Sequence, residues 1–160
     1  MIRRLPSLLV VLTLAIIAIC PGFSQMTMGV VSWEASLTGA NAGPGITTKG
    51  TGKAVFGLDF DKSTVDITID TKNLQGAQKI ELRMVKAPND VNGPVVFTIY
   101  DSASDGPLPE HLIKKVTGAD FSAVSALVSN GKGAVAVTTK AHPQAEAAGL
   151  VKMVKSYHQM

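Results

Sequence analysis

The stretch Lys53–Asp70, KAVFGLDFDKSTVDITID, decides the fold. Ala54, Phe56, Leu58 and Phe60 alternate with Lys53, Val55, Gly57 and Asp59, and Val65, Ile67 and Ile69 alternate with Thr64, Asp66, Thr68 and Asp70. A period of two places every second side chain on one face of an extended chain. It predicts two strands with one buried and one wet face, as in antiparallel sheets. The polar DKS between the runs reads as a short hairpin connection.

Outward from this hairpin the same period continues. In KIELRMV, from Lys79 to Val85, Ile80, Leu82 and Met84 are expected inward, and Glu81 and Arg83 outward. VVFTIYD, from Val95 to Asp101, reads as a more buried strand. Gly and Pro punctuate the runs in GANAGPG, APNDVNGP, SDGPLPE and SNGKG. One segment departs from the pattern. In GADFSAVSALVSNG, Phe121, Val124 and Leu127 lie at helical spacing, Asp120 is an N-cap candidate, and Asn130-Gly131 makes a stop. GAVAVTT and GLVKMVKSY then close the sheet. The expectation is an all-β fold: an immunoglobulin-like two-sheet antiparallel sandwich or barrel, with one short helix near 120–129.

The N-terminus has a different character. Arg3 and Arg4 precede a run from Leu8 to Ile19 that is apolar apart from Thr13, followed by Pro21-Gly22. That is the build of a secretory signal peptide, and the run falls short of the ~20 residues that span a bilayer. Gly22 and Ser24 are small residues suited to a cut between Ser24 and Gln25. The domain organisation expected is a signal peptide over 1–24, a lead over 25–32, a β-sandwich over 33–155 and a loose tail over 156–160. Exported, periplasmic, cell-surface or extracellular placement follows. Cys20, the chain's one cysteine, leaves with the signal peptide. The alternative is a lipid on Cys20, which Ile19 before it disfavours. Apart from that lipid, the signal peptide is the sole membrane contact expected.

The full chain carries 15 basic and 12 acidic side chains; loss of Arg3 and Arg4 leaves 13 against 12. A mature domain near +1 makes no electrostatic case for binding nucleic acid, which needs a clustered basic footprint. About 135 residues suit one domain with one core.

The segment Trp33–Asp59, WEASLTGANAGPGITTKGTGKAVFGLD, resembles the opening of a CHRD (chordin-type) domain: an aromatic strand, a Leu-Thr-Gly-Ala-Asn turn, a Pro-containing loop and a Gly-x-Ala-x-Phe-x-Leu strand. NGPVVFTIYD resembles that family's central strand, and GAVAVTTKAHPQAEAAGLV its closing pattern. The resemblance runs from Trp33 to Val151. It implies an immunoglobulin-like sandwich or barrel in secreted or surface proteins, with no general enzymatic activity. It also implies a His-x-His pair before the Gly-Pro-Val-Val turn, a third His after the Val-x-Val strand, and an Arg between Glu and Gly near the end. This chain has Arg83 and Val85, Thr138, and Ala148 at those positions. A divergent member without the imidazoles is expected.

No metal site, cofactor or catalytic residue is assigned. His142 in KAHPQAE reads as a turn residue, and His111 as the exposed start of a strand. Met26, Met28, His158 and Met160 carry soft-ligand chemistry suited to copper(I), against the plainer reading of chance residues near chain ends. DSASDG reads as an acidic turn rather than a calcium loop, and GTGKA lacks the spacing of a phosphate loop. The favoured function is a non-catalytic binding or structural module with an unidentified protein or glycan partner at the cell envelope. Two alternatives stay open: an extracytoplasmic copper-binding protein, and an enzyme on envelope polysaccharide or a small carbonyl compound. Outward-facing acids such as Glu81, Asp66 and Asp70 are available to an enzyme, against the plainer reading of solubilising side chains on a wet sheet face.

Overall fold

The structure is a computed structural model and describes residues 32–154 apart from Gln75. In chain order its elements are β1 (Ser32–Thr38), α1 (Gly39–Ala42), β2 (Thr51–Asp59), β3 (Thr64–Lys72), β4 (Ala77–Met84), β5 (Val95–Asp101), α2 (Ser102–Asp105), β6 (His111–Val116), α3 (Ala119–Ser129), β7 (Gly133–Thr139), β8 (Ala147–Leu150) and β9 (Lys152–Met153). The expected all-β sandwich or barrel is what forms. Hydrogen bonding links the strands into one antiparallel sheet, in the order β5-β4-β7-β8-β1-β2-β3-β6 with β9 also on β1, and the sheet curls nearly closed.

The β2–β3 hairpin follows the alternation. Ala54 and Phe56 face Ile69 and Ile67 across the ladder, and all four are fully buried. Each such large aliphatic or aromatic side chain contributes roughly 1.5–3 kcal/mol by leaving water. Phe60 does not continue the inward set. It lies in the turn and is 56% exposed, because the Lys62 N–H donates to Asp59 Oδ1 and Ser63 turns back at φ 52°. Its ring meets Phe121 edge-on, with centroids 6.1 Å apart.

The expected helix is α3. Val124, Leu127 and Val128 are buried, and Phe121 packs against the core. Asp120 is not its cap. Gly118, at φ 63°, occupies that position without a side-chain bond, and Asp120 falls in the first turn. At the other end the N–H groups of Gly131 and Lys132 donate to the carbonyls of Val128 and Leu127, and Gly131 takes φ 62°. Glycine adopts that left-handed conformation without strain. Helix α3 touches β3, β5 and β6, so it lies over the gap between the two edge strands. Two single-turn helices, α1 and α2, add to it. Each is capped by the preceding strand's last side chain, Thr38 or Asp101.

Two strands differ from expectation. β5 is an edge strand in which only Ile99 and Tyr100 are buried and Val95 is 48% exposed. The Tyr100 hydroxyl donates to the Gly106 carbonyl, and burial pushes its phenol up from the usual 10.0. In β4, Ile80 and Leu82 are inward, but Met84 emerges at the strand end, 41% exposed. Glu81 and Arg83 point to the opposite face as expected, yet they are buried. Loops lie over that face. Ala42, Val91, Ala134, Ala136, Ala145 and Ala148 form a second apolar cluster above the sheet.

Candidate functional site

The outer surface of the sheet carries two places with site-like chemistry. The first is the buried pair on β4. The Arg83 guanidinium donates from Nε and Nη2 to Glu81 Oε2 at 3.0 and 2.6 Å. Its Nη1 donates to the Gln144 carbonyl at 2.8 Å and reaches Asn92 Oδ1 at 3.4 Å. One guanidinium therefore ties β4 to the loop before β5 and to the loop after β7. Alanines supply the room: Glu81 pairs with Ala136 and Arg83 with Ala134 on β7, and Ala136 pairs with Ala148 on β8. Small side chains let loops and an ion pair fit above the strands.

The four positions singled out by the CHRD resemblance are spread along this face rather than gathered at one point: Val85 lies beside Lys132, Arg83 opposite Ala134, Ala148 opposite Ala136, and Thr138 opposite Lys79. Arg83, Thr138 and Ala148 lie on one face of three adjacent strands, and Val85 follows β4 against the second apolar cluster. Arg83, Thr138 and Ala148 are buried. Arg83 itself belongs to a satisfied ion pair on an alanine floor, which is a structural fastener. No cluster of three His, Cys, Asp or Glu side chains suited to a metal ion occurs among the described residues.

The second place is a cleft of about 710 Å³ over the outer faces of β1, β8 and β9, walled by α1 and its following loop and by Asn89. Glu34 and Ser36 of β1 and Lys152 of β9 give it carboxylate, hydroxyl and ammonium groups; Asn41 and Asn89 give it amides. Leu150 and Met153 supply apolar surface. The local folding is legible. Thr38 Oγ1 caps α1 by accepting the Asn41 N–H, and Asn41 Nδ2 donates back to the Ser36 carbonyl, which fixes the α1 wall to the strand below it. β8 lies unusually close to β1, since a Cβ on Gly149 would stand 2.2 Å from the Ser36 carbonyl oxygen. Glu34 pairs with Lys53 Nζ at 2.8 Å and is in register with Lys152.

The other named residues fall elsewhere. Asp66 pairs with Lys115 at 3.1 Å, and Asp70 with His111 at 2.6 Å, on the open face of β3 and β6. With Glu81 held by Arg83, each acid faces a basic side chain or an imidazole rather than a second carboxylate. His111 is the exposed first residue of β6. His142 sits in a turn, its N–H donating to Thr139 Oγ1 and its carbonyl accepting from the Thr139 N–H. Asp101 caps α2 within the expected acidic turn. Met26, Met28, His158, Met160, Cys20 and the Ser24–Gln25 junction lie outside the described residues.

Neither place is apparent from strand alternation. A signal for the covered face does exist: β7, GAVAVTT, is buried at every position, and its Ala134 and Ala136 stand where a wet face would carry polar side chains. No helix among the described residues is long and apolar enough to cross a membrane. No curated protein matches the chain in sequence. The profile of the CHRD domain matches residues 33–151, from the aromatic of β1 to the residue that links β8 to β9. With most of its length so matched, the chain belongs to the CHRD domain family.

Proposed function

We propose that this protein is an exported, non-catalytic CHRD module of the cell envelope that binds a hydrophilic chain, a glycan in the first instance, in the cleft over β1, β8 and β9. Membership of the family supports the non-catalytic binding or structural role. The lining of the cleft carries the choice of ligand. Amide, hydroxyl, carboxylate and ammonium groups stand together beside Leu150 and Met153. Such a mixture of donors, acceptors and apolar ledges suits a ligand dense in hydroxyls, whose C–H faces rest on the apolar surface. The signal-peptide pattern at 1–24 supports export and an envelope or extracellular location.

The test is amide NMR of the exported protein titrated with oligosaccharides prepared from its host's envelope. Shifts are expected at Glu34, Ser36, Asn89 and Lys152, with the ligand recovered unchanged. Lys152→Ala should weaken the binding. Shifts confined to the open face of β3 and β6, or cleavage of the oligosaccharide, would overturn the reading.

A further inference from the structure

The polar surface of the cleft does not end at β1. Glu34, on the cleft lining, pairs with Lys53 Nζ at 2.8 Å. Lys53 lines a second, shallower hollow of about 250 Å³ on β2 and β3, together with Thr51, Asp70 and Lys72. Asp70 in turn meets the His111 ring at 2.6 Å on β6, the edge strand on this side of the sheet. The pair of Glu34 and Lys53 is therefore a boundary shared by two hollows on one open face.

The ladders set these groups in rows. Glu34 faces Lys152 on β9 and Val55 on β2, Val55 faces Thr68 on β3, and Thr68 faces Ile113 on β6. Facing residues of an antiparallel sheet share a face, so these five form one row across the strands. Ser36, Lys53, Asp70 and His111 form a second row beside it. Neighbouring strands lie ~4.8 Å apart, so four steps carry the first row ~19 Å from β9 to β6. A pyranose ring with its linking oxygen advances by about one such step.

The far end of the first row is apolar. Ile113 is 66% exposed, more than any other large hydrophobic side chain among the described residues, and it belongs to neither apolar cluster. The charges along the rows balance, with Lys152 and Lys53 against Glu34 and Asp70. Donors and acceptors without net charge suit an uncharged polymer dense in hydroxyls.

We propose that a glycan held in the cleft continues along these rows over β1, β2 and β3 and ends on Ile113, an apolar platform for the C–H face of a sugar ring. The inference rests on the glycan reading of the cleft and adds the length of the ligand: a chain of about five units from β9 to β6 rather than a short glycan end.

The experiment is calorimetric titration of the exported protein with oligosaccharides prepared from its host's envelope and separated by length, from trisaccharide to octasaccharide. Affinity should rise with each added unit up to about five or six and then level off. Ile113→Thr keeps the β-branched shape that suits a strand. It should weaken binding of the octasaccharide about tenfold, the change expected when roughly half an aliphatic side chain stays in water. Its affinity for the trisaccharide, which the cleft holds, should match the wild type. Circular dichroism should be unchanged, since Ile113 lies outside the core. Trisaccharide binding with no gain at greater length, or wild-type affinity of Ile113→Thr for the octasaccharide, would overturn the inference and leave the cleft reading standing. No binding at any length would overturn both. A dimer in solution that Ile113→Thr dissociates would assign the residue to a contact between copies and overturn the inference as well.

Discussion

The outer surface of this sheet has two halves built on the same strand grammar. Over β1, β2, β3 and β6 the outward residues are wet: Lys53 with the half-buried Glu34 and the exposed Asp66 with Lys115 are ion pairs, and the exposed Asp70 contacts the His111 ring. Over β4, β7 and β8 the outward residues are covered, and Glu81 with Arg83 is an ion pair with side chains only 11% and 8% exposed. The amino-acid types are alike. What differs is the neighbour: β7 and β8 offer Ala134, Ala136 and Ala148, on which loops settle, whereas β2 and β3 offer Val55, Thr64 and Thr68 under open water. Charge pairing is decorative on one half and obligatory on the other, because removing water raises both the Coulomb attraction and the penalty for an unpaired charge.

The comparison breaks if the buried pair behaves like a surface pair. Arg83→Ala leaves the Glu81 carboxylate covered without its partner and frees the Gln144 carbonyl. Denaturant unfolding should show a loss of about 3–5 kcal/mol. Replacing both, Glu81→Leu with Arg83→Met, should recover most of that loss, since a buried ion pair and a fitted apolar pair are often of similar stability. A double variant as unstable as Arg83→Ala would show that the loop contacts, and not the stranded charge, dominate.

The wet half sharpens the contrast. Asp66→Ala or Lys115→Ala should change stability by about 1 kcal/mol or less, and the change should shrink as salt is raised. The same unfolding measurement at two salt concentrations checks both statements.

The smallest effect is in acid. Asp59 is held below the usual carboxyl value of 3.8, chiefly by the side-chain bond from Lys62, and Asp101 chiefly by the Ala103 N–H and then by Lys79. For a carboxyl lowered in the folded state, stability is present above the unfolded pKa and lost as pH falls through the folded one. Melting temperature should therefore fall slightly more steeply below about pH 4 in the wild type than in Asp59→Asn with Asp101→Asn. Identical acid limbs would assign the slope to other groups.

Much of this molecule is legible in its sequence, and the limits have physical causes. The β2–β3 hairpin and α3 announce themselves because one face of each is apolar at the right period, a property of the segment alone. The fate of Glu81 and Arg83 is not a property of their segment. It depends on Val91 and Ala145, which arrive from loops with no period to read. Phe60 breaks its pattern because the Asp59–Lys62 turn takes over one residue before the alternation ends. β5 reads as a buried strand because its apolar residues suit either a central or an edge position, and only pairing order distinguishes them. The cleft is likewise invisible in sequence, since Glu34, Asn89 and Lys152 meet only through the fold.

The position of β8 has a bearing on when this protein can fold. It lies in the interior of the sheet, between β7 and β1, although it is the last strand but one among the described residues. The ribosome must therefore release Ala147–Leu150 before Ser32–Thr38 can find a neighbour on that side. Such a chain spends its synthesis with a seam open and folds late, through contacts far apart in sequence.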